Sequence, residues 1–67
     1  MDIRVSGDEI YDSGDKIGVI SGGDIYTKDG KKIGRIFNDG DVFDADGNNV
    51  GYGNKGVLEL FIKNLFL

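Results

Sequence analysis

Neither cysteine nor histidine occurs anywhere in the 67 residues, and tryptophan is missing as well. Without cysteine a disulfide staple is excluded, and nothing follows about redox compartment. Without histidine a zinc site would have to be built from Asp and Glu alone, which structural zinc sites rarely use. The same two absences remove the usual general base and the thiol nucleophile of catalysis. Ser6, Ser13 and Ser21 each stand beside a glycine in turn-like text, with carboxylates as the only bases at hand. The carboxylates themselves are explained by position: Asp8, Asp24 and Asp41 precede strand text, and Asp29 and Asp46 are turn formers. No catalytic residue is assigned, no cofactor is implied, and the chain reads as a non-enzyme.

Positive charge is scarce too: eight basic residues against twelve acidic ones leave a formal charge of −4. A field of that sign repels nucleic acid and anionic lipid, so neither is expected as a partner. The densest cationic group, Lys28, Lys31, Lys32 and Arg35, is flanked by Asp24 and Asp29 and reads as solvated hairpin surface. There is no long apolar run. Val57 to Leu67 comes nearest, but it contains Glu59 and Lys63 and is too short to cross a bilayer. The first ten residues have no basic stretch leading into an apolar one, so they are not a secretory signal. A soluble, cytoplasmic protein is the expectation. At this length a chain makes one domain, spanning 1–67, whose core barely offsets chain entropy. With disulfide and zinc removed, burial against a partner subunit is the remaining staple.

What is present is self-similarity. GDEIYDSGDKIGVI (7–20), GDIYTKDGKKIGRI (23–36) and GDVFDADGNNVGYG (40–53) share one frame. It runs Gly-Asp, an apolar residue, an aromatic, a polar turn ending in Gly, two polar residues, Ile or Val, then Gly. Ile17, Ile33 and Val50 are spaced by 16 and 17 residues, and Tyr11, Tyr26 and Phe43 by 15 and 17. Such a period is the mark of stacked supersecondary units. Each copy reads as a β-hairpin, turning at Ser13-Gly14, at Lys28-Asp29-Gly30 and at Asp46-Gly47, where glycine supplies the positive φ the reversal needs. Ile3 to Ser6 alternates apolar and polar residues, as a further strand does.

The expected fold is mainly β: an antiparallel meander of three tandem hairpins, as a sheet or small open barrel, with a C-terminal helix over 56–67 packed on it. Ile3, Val5, Ile10, Ile17, Val19, Ile25, Ile33, Ile36, Val42 and Val50 are the expected core of the sheet. Gly18, Gly34 and Gly51 fall inside strand text, where glycine marks a bulge or a close approach. A ring of Tyr11, Tyr26 or Phe43 lying over the bare backbone would account for them.

The last segment changes period. Leu58, Phe61, Ile62, Leu65 and Phe66 recur at i, i+3, i+4, i+7 and i+8, with Glu59 and Lys63 as an i, i+4 pair and Asn54 as a cap. Val57, Leu60 and Leu67 lie off that stripe, so the apolar face is wider than one sheet requires. Leu-Phe-Ile and Leu-Phe-Leu are also good strand text, which leaves a strand as the alternative.

Two further patterns have bland explanations. Gly51-Tyr52-Gly53-Asn54-Lys55-Gly56 matches G-x-G-x-x-G but lacks the βαβ context and the following acidic residue, so it reads as a loop. The acidic turn around Asp44, Asp46 and Asn48 offers oxygen at alternate positions, as calcium requires. Placing Gly47 at the sixth EF-hand position, however, puts Val42 at the first, and the equivalent Gly30 is followed by two lysines. No metal site is therefore assigned. The aromatic set Tyr11, Tyr26, Phe43 and Tyr52 reads as cross-strand packing rather than a sugar or peptide platform.

The stretches IYDSGDKIGVI and DIYTKDGKKIGRI resemble the local YD-x-x-G-x-x-IG segment of PRC-barrel domains. They are also similar to cell-wall-binding hairpin repeats in their aromatic, turn and following Gly, without the tryptophans of those ligand cages. No functional residue is carried over from either likeness. The function expected is a protein-interaction or self-assembly module, a homo-oligomer or a partner to another protein, acting through Leu58, Phe61, Ile62, Leu65 and Phe66. The alternative is a cation- or small-ligand-binding module that uses the acidic third hairpin.

Overall fold

The computed structural model describes residues 2–66. Over these the chain forms seven strands and then one helix: β1 (Ile3–Ser6), β2 (Glu9–Asp12), β3 (Asp15–Ser21), β4 (Asp24–Thr27), β5 (Lys32–Ile36), β6 (Asp41–Asp44), β7 (Asn49–Tyr52) and α1 (Gly53–Phe66). Every strand pairs antiparallel with the next, in the order β1 to β7. The sheet curls into a half-barrel, so that α1 touches both edge strands, β1 and β7, as well as β5 and β6.

Turn chemistry sets this order. Three reversals take two residues: Gly7-Asp8, Ser13-Gly14 and Gly22-Gly23, with Ser6 opposite Glu9, Asp12 opposite Asp15 and Ser21 opposite Asp24. Gly22-Gly23, which joins the first copy of the frame to the second, is thus as tight as the Ser13-Gly14 turn inside the first. The other three reversals share one form. The N–H groups of Gly30, Gly40 and Gly47 donate to the carbonyls of Thr27, Phe37 and Asp44 at 2.9, 2.9 and 3.0 Å. Each of these glycines has φ near +90°, the left-handed closing position of a three-residue loop.

The register explains the recurring Ile-Gly and Val-Gly pairs. Ile10 faces Gly18, Ile25 faces Gly34 and Val42 faces Gly51, and immediately after each pair the register slips by one residue. The residue left over in each bulge is Ile17, Ile33 or Val50. A bulge resets the alternation of faces. It therefore brings these three side chains to the inner face beside the glycine, where Ile33 is buried and Ile17 and Val50 pack on the core.

The glycines themselves are covered from α1. A Cβ built on Gly18 would meet the Phe61 ring at 2.3 Å, one on Gly34 would meet Leu60 Cδ2 at 2.7 Å, and one on Gly51 would meet Gly56 Cα at 2.7 Å. The expectation that Tyr11, Tyr26 or Phe43 covers them is therefore corrected. Those rings follow Ile10, Ile25 and Val42 directly in sequence, so alternation sends them to the outer face.

The core consists of Ile10, Ile25, Ile33 and Val42 from the sheet and Val57, Leu60 and Phe61 from the helix. Burying each such side chain is worth roughly 1.5–3 kcal/mol, and three of the seven come from α1. Ile20, absent from the sequence expectation, packs against this cluster. The helix also begins earlier than expected, at Gly53 rather than residue 56. Gly56 is consequently inside the helix and buried, touching Val42 and Gly51, and Asn54 lies in the first turn rather than at a cap.

Candidate interaction surface

At 100° per residue, Val57, Leu60 and Phe61 fall on one side of α1, with Gly56 at its border and Asn64 on the same side a turn further on. That is the side the sheet encloses. Phe61 is 2 % exposed, so most of it is spent on the chain's own core. The rest of the sequence-derived stripe has a different fate. Leu58 and Ile62 are half-buried and Leu65 is 52 % exposed, forming a second apolar line at i, i+4 and i+7 beside the first. Phe66 closes the helix, and its side chain lies outside the described residues. The real phase of the core-facing stripe is thus rotated by about one residue from the expected one.

One charged contact fastens the helix to the sheet. Asp44, the last residue of β6, is only 7 % exposed. Its Oδ1 accepts the backbone N–H groups of Asp46 and Asn48, both at 2.9 Å, and its Oδ2 accepts the Lys63 ammonium. The Lys63 bond is the largest cause, and the Asn48 N–H the next, of a carboxyl held well below the usual range, at about 2. Asp44, Asp46 and Asn48, the residues a cation would use, do lie together in the turn. The Asp44 carboxylate, however, is filled by three donors from the protein itself, and Asp46 and Asn48 are exposed. Among the described residues no cluster of three or more acidic side chains is arranged to hold a metal.

On the outer face the cationic group divides. Lys32 and Arg35 converge on Asp24, at 3.2 and 3.6 Å. Arg35 also stands 6.0 Å from the centre of the Phe37 ring, which pairs with Phe43 at 5.1 Å. Lys28 and Lys31 stay on the turn between β4 and β5, in no ion pair among the described residues. Glu9, also on the outer face, accepts from Lys16 and from the Tyr11 hydroxyl, both at 2.9 Å, and these contacts lower its pKa.

The clamp between Asp44 and Lys63 escaped the sequence reading. The Asp-x-Asp-Gly text shows the turn-side half of it, because an Asp at that position commonly accepts N–H groups further along the turn. The lysine lies 19 residues away, and no local pattern links the two. Among the described residues no helix is long and apolar enough to cross a membrane. No family model matches the chain, and no curated protein or solved structure matches it either. The likeness to PRC-barrel and cell-wall-binding segments therefore stays at the scale of one hairpin.

Proposed function

We propose that this chain is a non-enzymatic interaction module that associates with a second copy of itself through the outward apolar line of α1. The observation that carries the reading is the spacing of Leu58, Ile62 and Leu65. These three large aliphatic residues stand at i, i+4 and i+7 outside the set the sheet buries, with the exposed Lys55 and Glu59 beside them on the helix. A helix covered on one face alone carries polar residues at such positions. An apolar line left there marks a contact surface, and a 4–3 spacing is the one that lets two helices pack side by side. The third hairpin gives no support to a cation-binding role, since its buried carboxylate already has a full set of donors.

Light scattering on the full chain over a dilution series tests this. The expected result is twice the single-chain mass at high concentration, reverting to the single-chain mass in Ile62→Lys with its circular dichroism unchanged. Ile62 suits the purpose because it is half-buried, whereas a charge at Phe61 would enter the core. A wild-type chain that keeps its single-chain mass at every concentration refutes self-association.

A further inference from the structure

Where the last turns of α1 pass over the β4–β5 turn, the sheet and helix leave a concavity of about 440 Å3. Its walls are Ile17 and Ile33, two of the three bulge residues, together with Phe61 and the exposed Leu65. The volume lies in the range that holds one or two large side chains, roughly 300–1,000 Å3 for ligand sites generally. Lys28 and Lys31 form its lip. Asp29 sits between them, with its carboxylate taking the Thr27 hydroxyl, so the lip carries two cations against one anion. In a chain of net charge −4, an excess of positive charge beside an apolar hollow is the opposite of the surface average.

We propose that this concavity binds an acidic, amphipathic peptide segment of another protein, with a large apolar side chain in the hollow and flanking carboxylates on Lys28 and Lys31. Charge complementarity selects this occupant. A second copy of the helix would bring a single carboxylate, Glu59, along with two lysines, whereas an acidic peptide brings several carboxylates. The site does not depend on self-association: only Leu65 borders both surfaces, and both lysines lie on the sheet side.

The test is a titration of the isotope-labelled full chain with the acetylated and amidated hexapeptide Asp-Glu-Leu-Phe-Glu-Asp, followed by amide chemical shifts. Shifts should concentrate at Ile17, at residues 27–31 and in the last turn of α1. The double change Lys28→Glu with Lys31→Glu, on exposed loop positions, should weaken binding at least tenfold while leaving the solution mass and circular dichroism as they were. Raising the salt to half molar should also weaken it. Absence of shifts at millimolar peptide overturns the proposal. So does equal binding of the Asn/Gln version of the peptide, or binding indifferent to charge reversal. Because Ile62→Lys alters mass and not this lip, failure here and failure of self-association give different results.

Discussion

Replacing Gly34 by alanine sets two effects of opposite sign against each other. The backbone of Gly34 lies outside the left-handed region, so alanine can adopt it. In an open site that exchange stabilises a protein by about 0.4–1 kcal/mol, because the unfolded chain has fewer conformations. Here the new Cβ would lie 2.4 Å from the Phe43 carbonyl oxygen and 2.7 Å from Leu60 Cδ2, where ordinary contact begins at 3.4 Å. Relief requires β5 and β6 to part by about 1 Å and Leu60 to give way as well, and overpacking of that kind costs about 1–3 kcal/mol. The net expectation is destabilisation by about 1–2 kcal/mol, the balance of those two effects. That is a large share of the roughly 3–10 kcal/mol a chain this size commands. Urea unfolding should show a lower midpoint at unchanged slope, and the thermal midpoint should fall by about 5–15 °C. Adding Leu60→Ala should not restore the loss, because the closer obstacle is main chain. A midpoint equal to or above that of the parent would refute the claim that the glycine makes room for the helix and the neighbouring strand.

Two further outcomes follow from single residues. Ser13 holds φ at +50° in the first position of its two-residue turn, a conformation that Asn tolerates better than Ser. Ser13→Asn should therefore raise stability by about 0.5 kcal/mol, read as a higher urea midpoint, and an unchanged or lower midpoint would count against the turn assignment. Asp44 titrates at about 2 when folded against an ordinary 3.8, so the unfolded chain takes up its proton first as pH falls. Its contribution to stability should be whole above about pH 4 and should drain away toward pH 2. In Lys63→Gln the carboxyl should titrate closer to its ordinary value, measured by carbon NMR of the side chain. A titration identical to the parent's would show that Lys63 is not the partner that holds it.

Strand and turn positions were legible because they rest on local chemistry. Asp24 to Thr27, Asp41 to Asp44 and Asn49 to Tyr52 are strands with the bounds the text implies, since period-two alternation and Gly-closed turns need no tertiary knowledge. The phase of the helix was not legible. Leu58, Ile62 and Leu65 and the core trio Val57, Leu60 and Phe61 are both helical sets of apolar residues, and periodicity cannot say which one the sheet will enclose. The deciding signal was in the glycines. Gly18, Gly34 and Gly51 could each be recognised as places of close approach, but what approaches is set by the curl of the sheet around α1. Alternation could already have excluded the aromatic rings, because each follows an inward residue by one position.

The same glycines decide how much of the helix is free to act. Facing inward at three of the sheet's pairing positions, they leave a trough with no side chains of its own, and Gly56, Leu60 and Phe61 fill it in turn along α1. Without the helix, Ile10, Ile25 and Val42 would have little to pack against across that trough. The helix is therefore a core element first, and Lys63 on Asp44 pins its far end to β6. Any surface role must use what the trough does not consume. Those residues are Leu58, Ile62 and Leu65, with the hollow that Leu65 shares with Ile17 and Ile33. A ligand entering that hollow would touch Phe61, the residue seated on Gly18. Occupancy there should consequently slow amide exchange in β3 as well as at the end of α1.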